Sequence, residues 1–440
     1  AETSEVGTVV RPRQVLELPL IVNGVGGLRS PKAFPFLVPG VVGPGTATDA
    51  GVRNDGAGEN GGAFQSKFTG SQNFSNEVLV DGASMFRSEN GSSFDETAMS
   101  VEAVQEFKVQ TSTIPAEFGR TGGGITSFAI KSGSNDWHGD AYDFFRNRVL
   151  NANRFFNNAR HLPRPLDNFH NYGATIGGPV YLPRFGEGGS PVLSGKDKTF
   201  FFFSYEGFRR SAAGAQTNTL PTTAFRNGDF SSVLTTNRIG TDALGRPIFE
   251  GAIYDPSTTR TVNGQLVRDP FPNNQIPLAR FSQVARNVLA LIPNPTRADR
   301  FNNFDFNGTN SVRTYTYTVK IDHTLTSKQR LAGSYSRRLN HDGKCVTSLP
   351  EPLETCAWDQ NFGTHYIRLA HDYAITTTVL NHLNIGVNRT VSSNLSFSAG
   401  QGWANRIGLV GAGGDLFPHF NLGEGIVGTV AAVMRAMMDR

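Results

Sequence analysis

The clearest pattern in the chain is the alternation of apolar and polar residues over positions 313–325. Tyr315, Tyr317, Val319 and Ile321 take odd positions, while threonines, one lysine and one aspartate take the even ones. A period of two over this length predicts a β-strand with one apolar and one polar face. The polar face suits a hydrated lumen.

Similar strands can be drawn at six further segments, 138–147, 170–180, 199–208, 329–338, 362–375 and 379–391. The 199–208 run differs in being aromatic on both faces, which suits an aromatic girdle or contact with a buried plug. The connections 326–328 and 376–378 are tight turns, whereas those between most of the other strands are long. If the strands run antiparallel in order, the long connections all fall at one end. Short periplasmic turns and long external loops are typical of outer-membrane barrels. The weak case is the 181–198 connection, because it is long but lies at the short-turn end.

The connection over residues 209–312 is too long for a structureless loop inside a compact domain. Between Phe281 and Ile292, apolar residues recur at i, i+3, i+4 and i+7 spacing, which predicts an amphipathic helix. Pro277 stands before the start of this helix and Pro293 ends it. The insertion is therefore expected to have structure of its own.

The first part of the chain, residues 1–135, is rich in Gly, Ser and Asn and has only short apolar runs. Residues 78–82 read as a short strand closed by an Asp-Gly turn. Ser100 is expected to cap a short helix that runs from Val101 through Phe107. These signals predict a small mixed α/β domain with large loops.

The composition narrows the class of protein. Gly reaches 49 of 440 residues and charged residues only 18%, which favours strands and turns over disorder or a helical bundle. A net charge of +4 from scattered residues gives no basic stripe, so nucleic-acid binding is not expected. No apolar run is long enough for a transmembrane helix, but a barrel strand needs only about 9–11 alternating residues. The N-terminus lacks the pattern of a signal peptide, so such a peptide is absent or already removed.

The chain carries no recognisable catalytic motif. The histidines show no metal-ligand spacing, the Gly-rich segments fail the phosphate-loop pattern, and there is no Gly-x-Ser-x-Gly elbow. We therefore predict no enzyme activity, no cofactor and no metal site.

Several segments, in order along the chain, resemble TonB-dependent outer-membrane transporters of the Oar-like group. Residues 116–124 and 130–139 are similar to the end of the plug domain of that family. Other similar segments are 17–20 and 38–41 in the early plug, 146–156, 172–180 and 198–207 in the first barrel strands, and 268–277 in a long external loop. Each motif alone is weak, but their order is specific, and the resemblance covers roughly residues 5–420.

The resemblance implies a mainly β fold, with a small mixed α/β plug domain followed by an antiparallel transmembrane β-barrel. Residues 1–135 would be an N-terminally truncated plug, and residues 136–440 the first part of the barrel with the external insertion 209–312. Family barrels have about 22 strands, so seven predicted strands imply a fragment that lacks about fifteen. The last stretch, Val427 to Arg440, reads as a helix and departs from the family pattern.

In function, the resemblance implies a receptor in the outer membrane of a Gram-negative bacterium, in contact with outer-membrane lipid. The full-length protein would bind an external ligand, a siderophore, oligosaccharide or peptide. It would take this ligand up when the TonB–ExbB–ExbD complex pulls through a TonB box that this chain does not contain. The chain alone is not expected to transport. Two alternatives stay open: an adhesion or scaffold protein of the same architecture, and a secreted carbohydrate-binding β-sandwich.

Four residues after the short plug strand, Asp81, Met85, Phe86 and Arg87, are candidates for an apical loop that faces the ligand. The alternative is an ordinary polar turn.

Two further predictions concern contacts within the protein. In the family, plug arginines pair with acidic residues of the barrel, so Glu117 and Arg120 are candidates for plug–barrel contacts; a solvated surface arginine is the alternative. Cys345 and Cys356 share the loop 339–361, which the strand order places outside the cell. An exported chain meets an oxidising compartment, so a disulfide is expected there, with two free thiols as the alternative.

Overall fold

The structure is a computed structural model of the chain. It describes residues 6–10, 31, 35, 38–42, 67–71, 76–85, 99–112, 114, 118–119, 121–153, 155–159, 161, 163–184, 192–342, 349–353, 358–411 and 416–418. The chain divides into two compact units. The first comprises Ala1–Ser211, Ser311–Gly343 and Gln360–Asn394, and the second comprises Ala212–Asn310, Lys344–Asp359 and Leu395–Arg440. The boundary near residue 135 stays a prediction.

Strands dominate the described residues. They are β1 (Val6–Val10), β2 (Val41–Val42), β3 (Lys67–Phe68), β4 (Glu77–Val80), β5 (Ala83–Ser84), β6 (Val104–Ser112), β7 (Ile125–Ile130), β8 (His138–Arg146), β9 (Asp167–Pro179), β10 (Tyr181–Pro183), β11 (Val192–Ser194), β12 (Thr199–Asn218), β13 (Arg238–Thr241), β14 (Pro247–Phe249), β15 (Tyr254–Val262), β16 (Gln265–Pro270), β17 (Phe304–Thr326), β18 (Gln329–Asp342), β19 (Trp358–Ala374) and β20 (Leu380–Ser396).

Helices are short. The α-helices are α1 (Phe155–Ala159), α2 (Thr223–Arg226), α3 (Gln283–Leu291) and α4 (Trp403–Ile407). Single 3-10 turns lie at Val101–Ala103, Arg148–Leu150, Ser231–Val233, Pro272–Asn274 and Leu278–Arg280. No helix among the described segments is long and apolar enough to cross a membrane.

In the first unit, a seven-stranded sheet has the order β8-β9-β12-β17-β18-β19-β20, so neighbours in sequence among these strands are neighbours in space. The pairings β8–β9, β17–β18 and β18–β19 are antiparallel. All seven predicted strands are confirmed. Most of them are longer than the alternation indicated, above all β12, which continues to Asn218, and β17, which already begins at Phe304.

The two faces of this sheet have the predicted polarity. On β17, Thr314, Thr316 and Thr318 are at most 4% exposed, whereas Ile321 is 49% and Leu325 is 48% exposed. The same division holds on β19, where Thr364 and Arg368 are buried and Ile367 and Leu369 are exposed. On β20 the apolar side chains Leu383, Ile385 and Val387 are likewise exposed. Burial of the polar face and exposure of the apolar one suit a barrel wall whose outer side meets lipid.

The connections agree with the predicted parity. The β17–β18 turn is tight, with Thr326 paired to Gln329, and Ile375 and Thr376 close the β19–β20 turn onto Val379. The 181–198 connection, the weak case, contains the hairpin β10–β11. The described residues on either side of this connection, 181–183 and 192–194, are therefore paired as strands.

The first unit also contains a five-stranded N-terminal sheet with the order β1-β6-β7-β4-β5. Strands β4 and β7 run parallel, whereas the pairs β1–β6, β6–β7 and β4–β5 are antiparallel. The core of this sheet includes Val78, Phe107 and Val109, which are at most 2% exposed.

The helix predicted from Val101 to Phe107 is wrong in its extent. Ser100 does act as an N-cap, since its Oγ accepts a hydrogen bond from the Glu102 amide at 3.2 Å. The turn ends after Ala103, and β6 follows. A register shift between Val104 and Glu106 places Val104 and Phe107 in the same core, so the bulge imitates helical spacing.

The second unit has a separate hydrophobic core, built around α3 and α4. The predicted helix in the insertion is confirmed as α3, with Ser282 as N-cap: its Oγ accepts from the Ala285 amide at 3.1 Å. Phe281 and Ile292, which flank the helix, are buried in this core. The hairpins β13–β14 and β15–β16 complete the insertion. The predicted helix at 427–440 lies outside the described residues.

Candidate functional site

A network of hydrogen bonds and one ion pair forms in the first unit around the hairpin that joins β4 to β5. We call this hairpin, residues 80–84, the Asp81 turn. Asp81 and Gly82 both adopt positive φ, 45° and 76°. Asp and Gly tolerate this left-handed conformation, which explains the Asp-Gly pair. A Cβ on Gly82 would lie 2.6 Å from Nδ2 of Asn384, so the turn lies directly on β20.

The carboxylate of Asp81 is almost fully enclosed. Its Oδ1 accepts from the backbone amide of Ile130 at 2.9 Å and lies 3.3 Å from Nζ of Lys320. The hydroxyl of Ser334 donates to Oδ2 at 3.3 Å. The Asp81 and Lys320 side chains are only 13% and 11% exposed, so water screens this ion pair weakly.

The backbone of the Asp81 turn accepts further hydrogen bonds from β19 and β20. Nε of Arg368 donates to the Val80 carbonyl at 3.2 Å, and Nδ2 of Asn384 donates to the Asp81 carbonyl at 2.6 Å. Nδ2 of Asn388 donates to the Ser84 carbonyl at 2.9 Å. Four adjacent strands of the seven-stranded sheet thus hold one two-residue turn.

Three of these donors stand side by side. In the sheet register Lys320 on β17 pairs with Ser334 on β18, and Ser334 pairs with Arg368 on β19. We call these three residues the donor row. Because cross-strand partners share a face, all three side chains project from the polar face of the sheet.

Arg368 is the most deeply placed cation of the row, at 4% exposed. Besides Val80, its guanidinium donates through Nη1 to the carbonyls of Ile367 and Val387, at 2.9 and 3.4 Å. It also lies over the Tyr366 ring, 5.1 Å from the centroid. Its Nη2 is buried and makes no hydrogen bond to the described residues. All the acceptors of this guanidinium are neutral carbonyls.

A cavity of about 230 Å³ adjoins the turn. Its lining includes Asp81, Lys320, Ser334, Arg368 and Asn384. The described part of the chain shows no cluster of His, Cys, Asp or Glu that could hold a metal ion. The site can therefore hold a carboxylate, and its direct partners are hydrogen-bond donors and cations.

A second polar contact ties the N-terminal segment to β8 and β12. The carboxylate of Glu206, a residue only 2% exposed, accepts from the Ser100 hydroxyl at 3.0 Å and from the Tyr142 hydroxyl at 2.7 Å. Two residues after the end of β7, the hydroxyl of Ser132 donates a hydrogen bond to the carboxylate of Asp322 on β17 at 2.7 Å. The N-terminal segment therefore contacts both ends of the strand order from β8 to β20.

The predicted site residues have mixed outcomes. Asp81 lies in the turn described above, and Met85 is 3% exposed within the hydrophobic core. Outside the described residues lie Phe86, Arg87, Glu117, Arg120, Cys345 and Cys356. Ligand binding at the Asp81 loop, the Glu117 and Arg120 contacts and the disulfide therefore stay predictions.

The sequence reasoning missed the donor row. The available signal was a lysine among the threonines on the polar face of β17 and an arginine on the same face of β19. Charged side chains on the buried face of a sheet need a counter-charge or hydrogen-bond partner. Nothing in the local pattern indicated that the partner is Asp81, because 239 residues separate it from Lys320.

The second unit carries an exposed ion-pair network of another kind. Asp269 binds both Arg260, at 2.8 Å, and Arg246, at 2.6 Å. These two guanidinium groups, Arg260 first, lower the pKa of the Asp269 carboxyl to about 2. The network links Arg260 on β15 and Asp269 on β16 to Arg246, which directly precedes β14.

Comparison with known proteins places this geometry in a family context. The sequence profile of the family described as "Outer membrane beta barrel domain" matches residues 129–434. The chain is also similar to the TonB-dependent transporter Oar of Myxococcus xanthus, at 30% identity over 142 residues. That alignment covers 31% of this chain and 12% of the relative.

Solved structures give a weaker likeness. A variant of the ferric enterobactin receptor of Pseudomonas aeruginosa, in complex with enterobactin, has a TM-score of 0.41 at 11% identity and covers 89% of this chain and 42% of its own. The siderophore receptor PirA of the same organism has a TM-score of 0.35 at 8% identity, covering 91% and 52%. The chain thus spans about half, or less, of the length of these receptors.

Proposed function

Because the chain belongs to the outer membrane β-barrel domain family, we propose that it forms part of a receptor that binds an external ligand and takes it up with energy from TonB. The predicted resemblance to TonB-dependent transporters, the mainly β fold and the location in the Gram-negative outer membrane are confirmed. The curated relative is a transporter rather than an enzyme. We call the N-terminal sheet the plug and the seven-stranded sheet the barrel wall.

The main observation behind the proposal is that the Asp81 turn packs against the polar face of the barrel wall and is hydrogen-bonded to it. A plug hairpin that lies on lumen-facing side chains, and is bound by four adjacent strands, blocks that part of the lumen. Moving the hairpin uncovers a polar surface and so opens a path for a polar ligand.

The contacts that hold the turn suit reversible release. They are one ion pair and a small set of hydrogen bonds, each of which typically contributes about 0.5–1.5 kcal/mol, or about 1.5–3 when one partner is charged. A pulling force applied to the plug can break these contacts one after another. The TonB–ExbB–ExbD complex is the proposed source of that force, and outer-membrane lipid is the proposed neighbour of the exposed apolar face.

The proposed ligand is an extracellular siderophore, oligosaccharide or peptide. The similarity to the transporter Oar supports uptake over catalysis, and we propose that no bond in the ligand is made or broken.

An adhesion or scaffold role for the same architecture is the second candidate. The large folded insertion between β12 and β17 favours it, since this second unit has its own core and could bind a partner at the cell surface. A secreted β-sandwich is excluded by the family and by the sheet itself, because a sandwich buries its apolar faces whereas this sheet exposes them.

Uptake in cells separates the two candidates. A Gram-negative host that makes a protein containing this chain is given a radiolabelled ferric siderophore, oligosaccharide or peptide, with and without the host TonB gene. Energised accumulation that disappears without TonB supports the receptor. Surface binding that is the same in both hosts, with no accumulation, contradicts it and favours adhesion.

A further inference from the structure

The contact between the Asp81 turn and the wall is one-sided in its chemistry, unlike the contacts of Ser100 and Ser132, which donate to wall carboxylates. The wall supplies the ammonium of Lys320, the hydroxyl of Ser334, the guanidinium of Arg368 and the amide of Asn384 as donors. The Asp81 turn supplies the acceptors, namely its carboxylate and its backbone carbonyls. The carboxylate itself is held by Lys320 and Ser334, while Arg368 and Asn384 bind the carbonyls. An ammonium and a hydroxyl are donors with which proteins bind anions in general.

The charges show what the wall lacks without the turn. Lys320 and Arg368 are two cations, and Asp81 is the one carboxylate that contacts the donor row among the described residues. His382, which also lines the cavity, already has its own carboxylate partner, Asp372, at 2.5 Å. Once Asp81 moves away, both cations lie on the uncovered polar face without their counter-charge, so an anion that reaches them gains charge-assisted hydrogen bonds from the row.

We propose that the donor row is an anion-binding site of the barrel wall, filled by Asp81 while the plug is seated. When the turn moves, Lys320, Ser334 and Arg368 bind a carboxylate or phosphate group of the passing ligand. This second step rests on the proposed function, and it selects for anionic ligands. The adjoining cavity of about 230 Å³ leaves room for such a group and its water beside the row.

Removal of the resident carboxylate tests the site directly. Asp81→Gly keeps the positive φ that the turn needs and leaves the space of one carboxylate open in front of Lys320 and Ser334. The probe is sodium formate, which has the size and charge of the lost group. The readout is the melting temperature of the detergent-purified protein against formate concentration, with sodium chloride holding ionic strength constant.

We expect the variant to gain roughly 1.5 °C at ten times the half-saturating formate concentration, with a saturating curve. The wild-type protein should show no such gain, because Asp81 fills the site. Formamide, which is neutral but has nearly the same shape, should leave the variant unchanged. The double variant Asp81→Gly/Lys320→Met should lose the response, while Asp81→Gly/Lys328→Met, which removes an exposed lysine near the same strand, should keep it.

The proposal is overturned if formate stabilises Asp81→Gly no more than the wild type, or if formamide acts as well as formate. It is also overturned if the response survives Lys320→Met. If the variant folds poorly without the anion, the yield on refolding into detergent against formate concentration answers the same question. These readouts do not depend on uptake, so failed uptake in cells would refute the transport proposal while leaving the anion site standing.

Discussion

Replacing Lys320 with methionine is the sharpest test of how the plug is held. Nζ of Lys320 lies 3.3 Å from Oδ1 of Asp81, and at an effective dielectric constant of about 20 Coulomb's law gives roughly 5 kcal/mol for this pair. Part of this is offset, because the variant no longer has to dehydrate an ammonium group. Asp81 also keeps the Ile130 amide and the Ser334 hydroxyl. We therefore expect Lys320→Met to destabilise the seated turn by about 3 kcal/mol.

Hydrogen exchange measures this effect where it occurs. The Ile130 amide donates to Asp81, so the peptide that contains Ile130 reports each opening of the turn. A loss of about 3 kcal/mol should speed its exchange roughly 100-fold. The matched control Lys328→Met removes an exposed lysine, and its exchange should match the wild type within about twofold.

A double substitution checks the cause. Asp81→Asn added to Lys320→Met removes the isolated carboxylate and leaves an amide oxygen to accept from Ile130. This should bring exchange back to within about 1 kcal/mol of the wild type. The reasoning is refuted if Lys320→Met exchanges like Lys328→Met, or if the double variant is no slower than Lys320→Met.

Three further outcomes are expected. Gly386→Ala should destabilise the plug contact by about 1–3 kcal/mol in thermal unfolding, because the new Cβ would lie 2.6 Å from the Cβ of Ala83. The control Gly363→Ala should be nearly neutral, because its Cβ would meet only a leucine methyl group at 3.7 Å. Asn303→Ala should lower the free energy of unfolding of the second unit by about 2–3 kcal/mol. The side chain of Asn303 is fully buried and forms hydrogen bonds with both the backbone amide and the backbone carbonyl of Leu220. The pKa of Asp269 is lowered in the folded protein, so the ionised carboxylate should stabilise the second unit above the ordinary carboxyl pKa of 3.8, and this stabilisation should disappear as the pH falls towards about 2. Hydrogen exchange of β16 across this range should show the loss. In Asp269→Asn this pH dependence should be absent.

The wall could be predicted from sequence because its signal is local and repeated. A strand with one face towards lipid and one towards a polar lumen tends to alternate along its length, and most of the seven segments do so. The tight turns at 326–328 and 376–378 then indicated two of the hairpins, β17–β18 and β19–β20. The same reasoning found α3, because a helix with one buried face also repeats locally.

The plug was harder to predict for a physical reason. Its short segments owe their conformation to partners far away along the chain, as when the bulge at Val104 turned an apparent helix into a strand. The Asp-Gly pair identified the turn but not its role, since Lys320 and Arg368 lie more than 200 residues further on. Local pattern cannot supply contacts of that range.

Under the proposed function, the donor row would also explain how a plug can be held firmly and still be released. An apolar contact of similar extent would leave an apolar patch in the lumen after release, where a polar ligand gains nothing. Donors on the wall instead bind an anionic acceptor of suitable shape, so the ligand can take over the hydrogen bonds and the counter-charge that the turn gives up. The cost of moving Asp81 is then offset by the anion that replaces it, and the passage opens most easily when such an anion is present.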